Sequence, residues 1–140
     1  MRESSSVGYL LKQAQALLHA RMTEALAPFD LTVSQYSCLF RLSVEPGISA
    51  ADLARATFVT RQSMTTMLEG LLERGLVERA TRAETGRALP VALTAKGTKE
   101  LARARDVVDE LESLLQADLG QPEADALAEG LAATVASLSR

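Results

Sequence analysis

A chain of 140 residues is one domain's length, and 47% hydrophobic with 24% charged residues is the balance of a globular protein rather than a disordered one. Nothing approaches the ~18 consecutive apolar residues of a membrane span, and Met1 to Ser6 is polar rather than a secretory leader, so the expected compartment is the cytoplasm. One cysteine and one histidine make neither an internal disulfide nor an ordinary zinc site. They also leave most nucleophile–base pairs without partners, so binding is favoured over catalysis, with no cofactor or metal expected.

The net charge of −3 is unevenly spread. Residues 55–87 hold 6 arginines against 4 acids, and Lys96 and Lys99 follow. Residues 100–140 carry 3 basic and 9 acidic side chains. A positive middle with an acidic tail suits a molecule that presents one face to phosphate and keeps another solvated.

In chain order, the spacing of Val7, Leu10, Leu11, Ala14, Leu17, Leu18 and Ala25 predicts an amphipathic helix over about 7–26, stopped by Pro28. Thr32-Val-Ser-Gln35 is a capping box that opens a second helix with Tyr36, Leu39, Phe40 and Leu42. Pro46-Gly47 turns the chain, and Ser49 caps a short helix whose Leu53 and Ala54 face the core. Thr57-Phe58-Val59 is a three-residue break. Thr60 then caps a longer helix with an apolar stripe of Met64, Met67, Leu68 and Leu71, and Gly75 occupies its left-handed C′ position.

Beyond Gly75 the period falls to two. Leu76 to Arg79 reads as a short strand, and Leu89, Val91 and Leu93 alternate along a second, with Pro90 at an edge position. Ala80 to Arg87 forms the hairpin tip. Thr94 caps a long helix carrying Leu101, Val107, Val108, Leu111, Leu114 and Leu115, which ends at Gly120. Pro122, at the first helical position, begins a last helix with Leu127, Leu131, Val135 and Leu138. The fold class is therefore mainly α with a small β-hairpin.

A short helix, a three-residue turn and a longer helix form a helix-turn-helix, whose longer helix is the one that enters a major groove. Rotation by about 100° per residue puts Arg61, Gln62, Thr65 and Thr66 on its outer, N-terminal face. Arginine bonds guanine bidentately, glutamine bonds adenine, and threonine bonds a base edge or touches a thymine methyl. Glu69 and Glu73 lie farther along, which suits docking by the N-terminal end. The same pattern also fits an ordinary surface helix. The hairpin adds a second argument: Arg79, Arg82 and Arg87 lie at or beside its tip, and a narrow minor groove attracts arginine. A hairpin directly after a recognition helix is the wing of a winged helix.

Thr60 to Arg79, followed by Gly86 to Gly97, resembles the MarR family of winged-helix repressors. The shared features are Asp52-Leu53-Ala54, the run Arg74-Gly75-Leu76-Val77-Glu78-Arg79, the wing arginine Arg87, and Leu93-Thr94 with Gly97. The helix order on both sides matches as well, so the resemblance covers essentially the whole chain. It implies a homodimer on pseudo-palindromic duplex DNA, usually released by a small-molecule effector. Residues 1–28 and 100–140 would form a helical dimerisation region, and residues 29–99 the winged helix-turn-helix lobe. The DNA-binding candidates are then Thr60, Arg61, Gln62, Ser63, Thr65, Thr66, Arg79, Arg82 and Arg87. The family's wing often carries an acid two residues before its arginine; here Thr85 holds that place and Glu84 precedes it, so either Glu84 orients Arg87 or the wing is looser.

The resemblance also implies an effector cleft between the first, second and fifth helices and the DNA-binding lobe, with His19, Met22, Tyr36 and Phe40 as candidate lining. Cys38 offers an alternative, a thiol-based redox repressor, although an internal helical cysteine is usually an inert small hydrophobe. A winged helix used only for protein contact is the remaining alternative.

Overall fold

A computed structural model of the chain describes residues 6–80 and 90–140. Six α-helices and two strands follow in order: α1 Val7–Leu26, α2 Val33–Val44, α3 Ala50–Ala56, α4 Arg61–Glu73, β1 Val77–Arg79, β2 Val91–Leu93, α5 Ala95–Leu119 and α6 Gln121–Leu138. A 3-10 turn, Ala27–Phe29, carries Pro28 and separates α1 from α2. Among the described residues, no helix is long and apolar enough to cross a membrane.

Capping by short polar side chains sets most helix starts. The hydroxyls of Ser6, Ser49, Thr60 and Thr94 accept from the amides of Tyr9, Asp52, Ser63 and Gly97. At α2 the capping box is complete: the Gln35 amide donates to Thr32 Oγ1 at 3.0 Å, and the Thr32 amide donates to Gln35 Oε1 at 2.9 Å.

The end of α4 explains a difference from the sequence reading. Gly75, at φ 72°, donates to the Leu72 carbonyl, and Leu76 donates to the Leu71 carbonyl. These two bonds are the Schellman closure of the helix. Leu76 is therefore committed to the cap, and β1 begins one residue later, at Val77. The strands pair antiparallel, Val77 with Leu93, Glu78 with Ala92 and Arg79 with Val91. β2 likewise starts at Val91; Pro90 lies outside it, its carbonyl accepting from the Ala80 amide at 2.9 Å. The hairpin tip, with Arg82, Glu84, Thr85, Arg87 and Leu89, lies outside the described residues. At α6, Gly120 acts as N-cap with its carbonyl bonded by Ala124, so Gln121 is the first helical residue and Pro122 the second rather than the first.

The core is gathered under the middle of the chain. Leu39, Leu53, Met64, Leu68 and Leu71 from α2, α3 and α4 meet Leu26, Leu76, Val77, Val91, Leu101 and Ala104. A fully buried leucine or methionine contributes about 1.5–3 kcal/mol, so this cluster fixes how α4 is presented. The predicted α4 stripe is seen, with Met67 half-buried at its margin. On α5 the buried residues are Gly97, Leu101 and Ala104, all in its N-terminal half. Leu114, Leu115 and Leu119 are exposed, as are Val7, Leu10, Leu17 and Leu18 on α1 and Leu127, Leu131, Val135 and Leu138 on α6.

Candidate nucleic-acid interface

With Met64, Leu68 and Leu71 turned inward, helical geometry leaves Arg61, Gln62, Ser63, Thr65 and Thr66 on the outside, and all five are exposed. Glu69 and Glu73 share the exposed side farther along. Thr60 is exposed too, but its hydroxyl is engaged: it accepts from the Ser63 amide at 3.0 Å and donates to Ser63 Oγ at 2.9 Å. Thr65 Oγ1 donates to the Arg61 carbonyl at 3.0 Å, leaving its oxygen lone pairs and its methyl outward. Arg61 and Gln62 are therefore the side chains with reach, and Thr60 and Ser63 hold the helix end that carries them. Arg79, on β1, is exposed on the same lobe.

The sequence reading did not anticipate a second helix end beside this face. Thr32, Ser34 and Gln35 from the start of α2 line a groove of about 580 Å³ together with Thr60, Gln62, Ser63 and Thr66 from the start of α4. Each helix N-terminus carries a partial positive charge of about half an elementary unit and unpaired amides, the standard provision for a phosphate. The available sequence signal was the capping box at Thr32, legible as a helix start but silent about which other helix it would face.

The lobe is braced from behind by Arg74. Its guanidinium donates to the Asp30 carbonyl at 2.7 Å and the Phe29 carbonyl at 3.4 Å, while its own carbonyl accepts from Lys96 Nζ at 3.0 Å. The end of α4 is thereby tied to the α1–α2 junction and to the start of α5.

Among the described residues, His19 lines one groove and the Tyr36–Phe40 pair lines another. His19 is exposed and opens on a groove of about 650 Å³ with Thr23, Asp30 and Arg74. Met22 is half-buried against the core. Tyr36 and Phe40 do meet, with ring centroids 6.4 Å apart and planes at 21°. They line a smaller cavity of about 270 Å³ with Ser37, Arg41, Ala56, Thr57 and Phe58. The Arg105 guanidinium lies 5.3 Å from the Phe40 centroid. Burial raises the Tyr36 hydroxyl pKa; nearby Arg105 opposes the rise and Asp109 adds to it.

Burial decides what two residues of this region can do. Cys38 has no exposed surface, and burial raises its thiol pKa to about 12. A protonated, enclosed thiol is a poor nucleophile, which counts against the redox alternative. Phe58, read only as part of a break, sits at φ 59° and is 83% exposed. A left-handed backbone costs a non-glycine residue about 1–2 kcal/mol, and an exposed ring recovers little of it by burial.

The comparisons with known proteins point to one family. The family model described as MarR family matches residues 29–88. The HTH-type transcriptional repressor Rv2887 of Mycobacterium tuberculosis is 38% identical over 123 residues, 88% of each chain. The crystal structure of that M. tuberculosis protein with salicylic acid superimposes with a TM-score of 0.77 at 36% identity, covering 96% of this chain and 99% of the other. The transcriptional repressor CouR, bound to a 23-mer DNA duplex, gives a TM-score of 0.87 at 34% identity and 94% coverage of both chains.

Proposed function

The chain belongs to the MarR family, and from that premise we propose that it is a homodimeric repressor that binds a pseudo-palindromic operator and leaves it when a small apolar or aromatic ligand binds. It acts on DNA in the cytoplasm, and its chemistry is recognition rather than catalysis.

The observation that carries this reading is the exposed N-terminal face of α4, with Arg61, Gln62, Thr65 and Thr66 outward over a core that fixes the helix from behind. Arg61 and Gln62 read base edges in the major groove, and the groove between the starts of α2 and α4 receives a backbone phosphate. Arg79, Arg82 and Arg87 reach the neighbouring minor groove from the hairpin. The exposed apolar rows of α1, the C-terminal half of α5 and α6 form the dimer interface, because two recognition helices must be held about 34–36 Å apart to enter successive major grooves. The terminal segments 1–28 and 100–140 are thus the dimerisation region, and 29–99 the DNA-binding lobe.

The salicylic acid complex of the 36%-identical relative supports an aromatic effector. Tyr36 and Phe40 provide aromatic surface for one, with His19 and Met22 nearer the α1 side of the lobe. A differential affinity of about 1–3 kcal/mol between the DNA-competent and incompetent states would change DNA binding 5–150-fold.

The direct test is selection of bound duplexes from a random library by the purified protein. Enrichment of an inverted repeat with half-site centres about 10–10.5 bp apart is the expected result. A pool that stays random after repeated rounds would overturn the reading.

A further inference from the structure

Both helices that leave the DNA-binding lobe for the terminal segments are bonded at their bases to one residue. α1 ends at the 3-10 turn that carries Pro28, and Asp30 beyond it stands at φ 54°, so the α1–α2 junction is a swivel rather than a continued helix. The Arg74 guanidinium donates there to the Asp30 carbonyl at 2.7 Å and, more weakly, to the Phe29 carbonyl at 3.4 Å. On the other side α5 begins, and its Lys96 Nζ donates to the Arg74 carbonyl at 3.0 Å. The C-terminal end of α4 is thus clamped to the bases of α1 and α5 together.

We propose that Arg74 is a specificity-determining residue: it sets the half-site spacing that the dimer accepts, while touching no base. This role rests on the homodimeric operator binding proposed above.

The clamp matters because apolar packing fixes position better than angle. Leu26 and Leu31 anchor the junction by burial, which is non-directional. A planar guanidinium donating to backbone carbonyls is directional, and its charge strengthens each bond. The Asp30 carboxylate adds little, because it lies 3.9 Å from the guanidinium on a side chain that is 98% exposed. The α5 side is held independently: the Thr94 amide donates to the Leu76 carbonyl and Thr94 Oγ1 to the Gly75 carbonyl. Removing the Arg74 side chain therefore frees the angle at the α1 side and leaves the α5 side in place.

Magnitudes link this angle to the operator. One extra base pair between half-sites shifts the second by about 3.4 Å and turns it by about 34–36°. Shared between two lobes, the turn is about 17° each. At only about 5 Å from the pivot such a turn carries an atom through about 1.5 Å, and ordinary hydrogen bonds end near about 3.2 Å. The 2.7 Å bond to Asp30 would break first, so a lobe with Arg74 intact resists the wrong spacing.

The test uses the full chain as wild type, Arg74→Met, Arg74→Lys and Asp30→Asn. Each is titrated by anisotropy against the operator selected by wild type, against the same operator with one base pair inserted or deleted at its centre, and against single-base variants of a half-site. Wild type should lose more than about tenfold in affinity on either change of spacing, and Arg74→Met less than about threefold. Arg74→Lys, which keeps the charge but presents a single head to two carbonyls, should fall between them. Base preference within the half-site should match wild type in all variants, a split that mere loss of stability would not produce. Asp30→Asn keeps the accepting carbonyl and should keep the wild-type spacing penalty.

In the free protein, nitroxide labels on Glu69→Cys of the two copies should give a broader distance distribution with Arg74→Met than without it; the buried Cys38 stays unlabelled. A spacing penalty retained in both Arg74 variants, an equal loss on all duplexes, an Asp30→Asn as relaxed as Arg74→Met, or label distances of unchanged width would each overturn the role of Arg74 alone. A wild type that sediments as a monomer would overturn the homodimer and this role with it. A dimer that selects no inverted repeat would overturn the operator reading, and the label distances would still decide the clamp.

Discussion

Gly97 lies so close to Leu76 that a Cβ built on it would stand 1.9 Å from the Leu76 carbonyl oxygen. That carbonyl already accepts the Thr94 amide at 3.1 Å, and Thr94 Oγ1 donates to the Gly75 carbonyl at 2.6 Å. The start of α5 is thus pressed directly on the chain leaving α4, and the contact sets where the hairpin departs. In an ordinary helix, replacing glycine by alanine stabilises by up to about 1 kcal/mol. Here the sign reverses: Gly97→Ala should destabilise by about 1–3 kcal/mol, as overpacking does, because the obstacle is backbone and cannot swing aside. Thermal melts read the result, and a variant as stable as wild type would show that the two segments can separate without cost.

The recognition face and the hairpin should fail in different ways. Arg61→Ala or Gln62→Ala should relax base preference at particular operator positions, each by about 1–3 kcal/mol of discrimination, with the salt slope of binding little changed for Gln62→Ala. Arg87→Ala should weaken binding to all sequences alike and reduce the log–log salt slope by about 1. Binding measured across single-base operator variants and several salt concentrations separates the two. Unchanged preference in both α4 variants would remove that helix from base reading.

Leu131 lies 38% exposed midway along α6, in a row with Leu127 and Val135. If that row joins two copies, Leu131→Glu puts a charge into a desolvated interface and should drive the protein toward monomer, lowering DNA affinity by more than tenfold as one recognition helix is lost. Sedimentation equilibrium at several concentrations checks the first effect and a DNA titration the second. A dimer of unaltered strength would place the interface on other residues.

Cys38 should dominate stability in mildly alkaline solution. Folded, its thiol titrates at about 12; unfolded, it returns to about 9. Below pH 9 both states hold the proton and stability does not depend on it. From pH 9 upward the unfolded chain loses the proton and the folded protein keeps it, so stability falls by up to about 1.4 kcal/mol per pH unit. Tyr36, also raised by burial, adds the same sign only above about pH 10. Denaturant melts between pH 8 and 10 should show this slope in wild type and not in Cys38→Ala. The same burial predicts that peroxide at neutral pH leaves the thiol and DNA binding unchanged.

What the sequence determined was mostly local. Pro28, Gly75, Gly120 and the hydroxyls of Ser49, Thr60 and Thr94 mark helix ends because their chemistry acts within four residues. The inward stripe of α4 follows from spacing alone, and with it the outward set Arg61, Gln62, Thr65 and Thr66. Departures at Leu76 and Pro122 are also local: a Schellman closure claims the first residue, and a glycine N-cap shifts the second by one position. Tertiary structure decided everything that depends on distant segments meeting. It set the start of α2 beside the start of α4, put Arg74 across to Asp30, and separated His19 from the Tyr36–Phe40 pair. It also left Phe58 outside a core whose apolar positions it matches in composition. Periodicity records which face of an element is apolar, but not which other element arrives to cover it, and a single aromatic residue in a three-residue turn has no period to read.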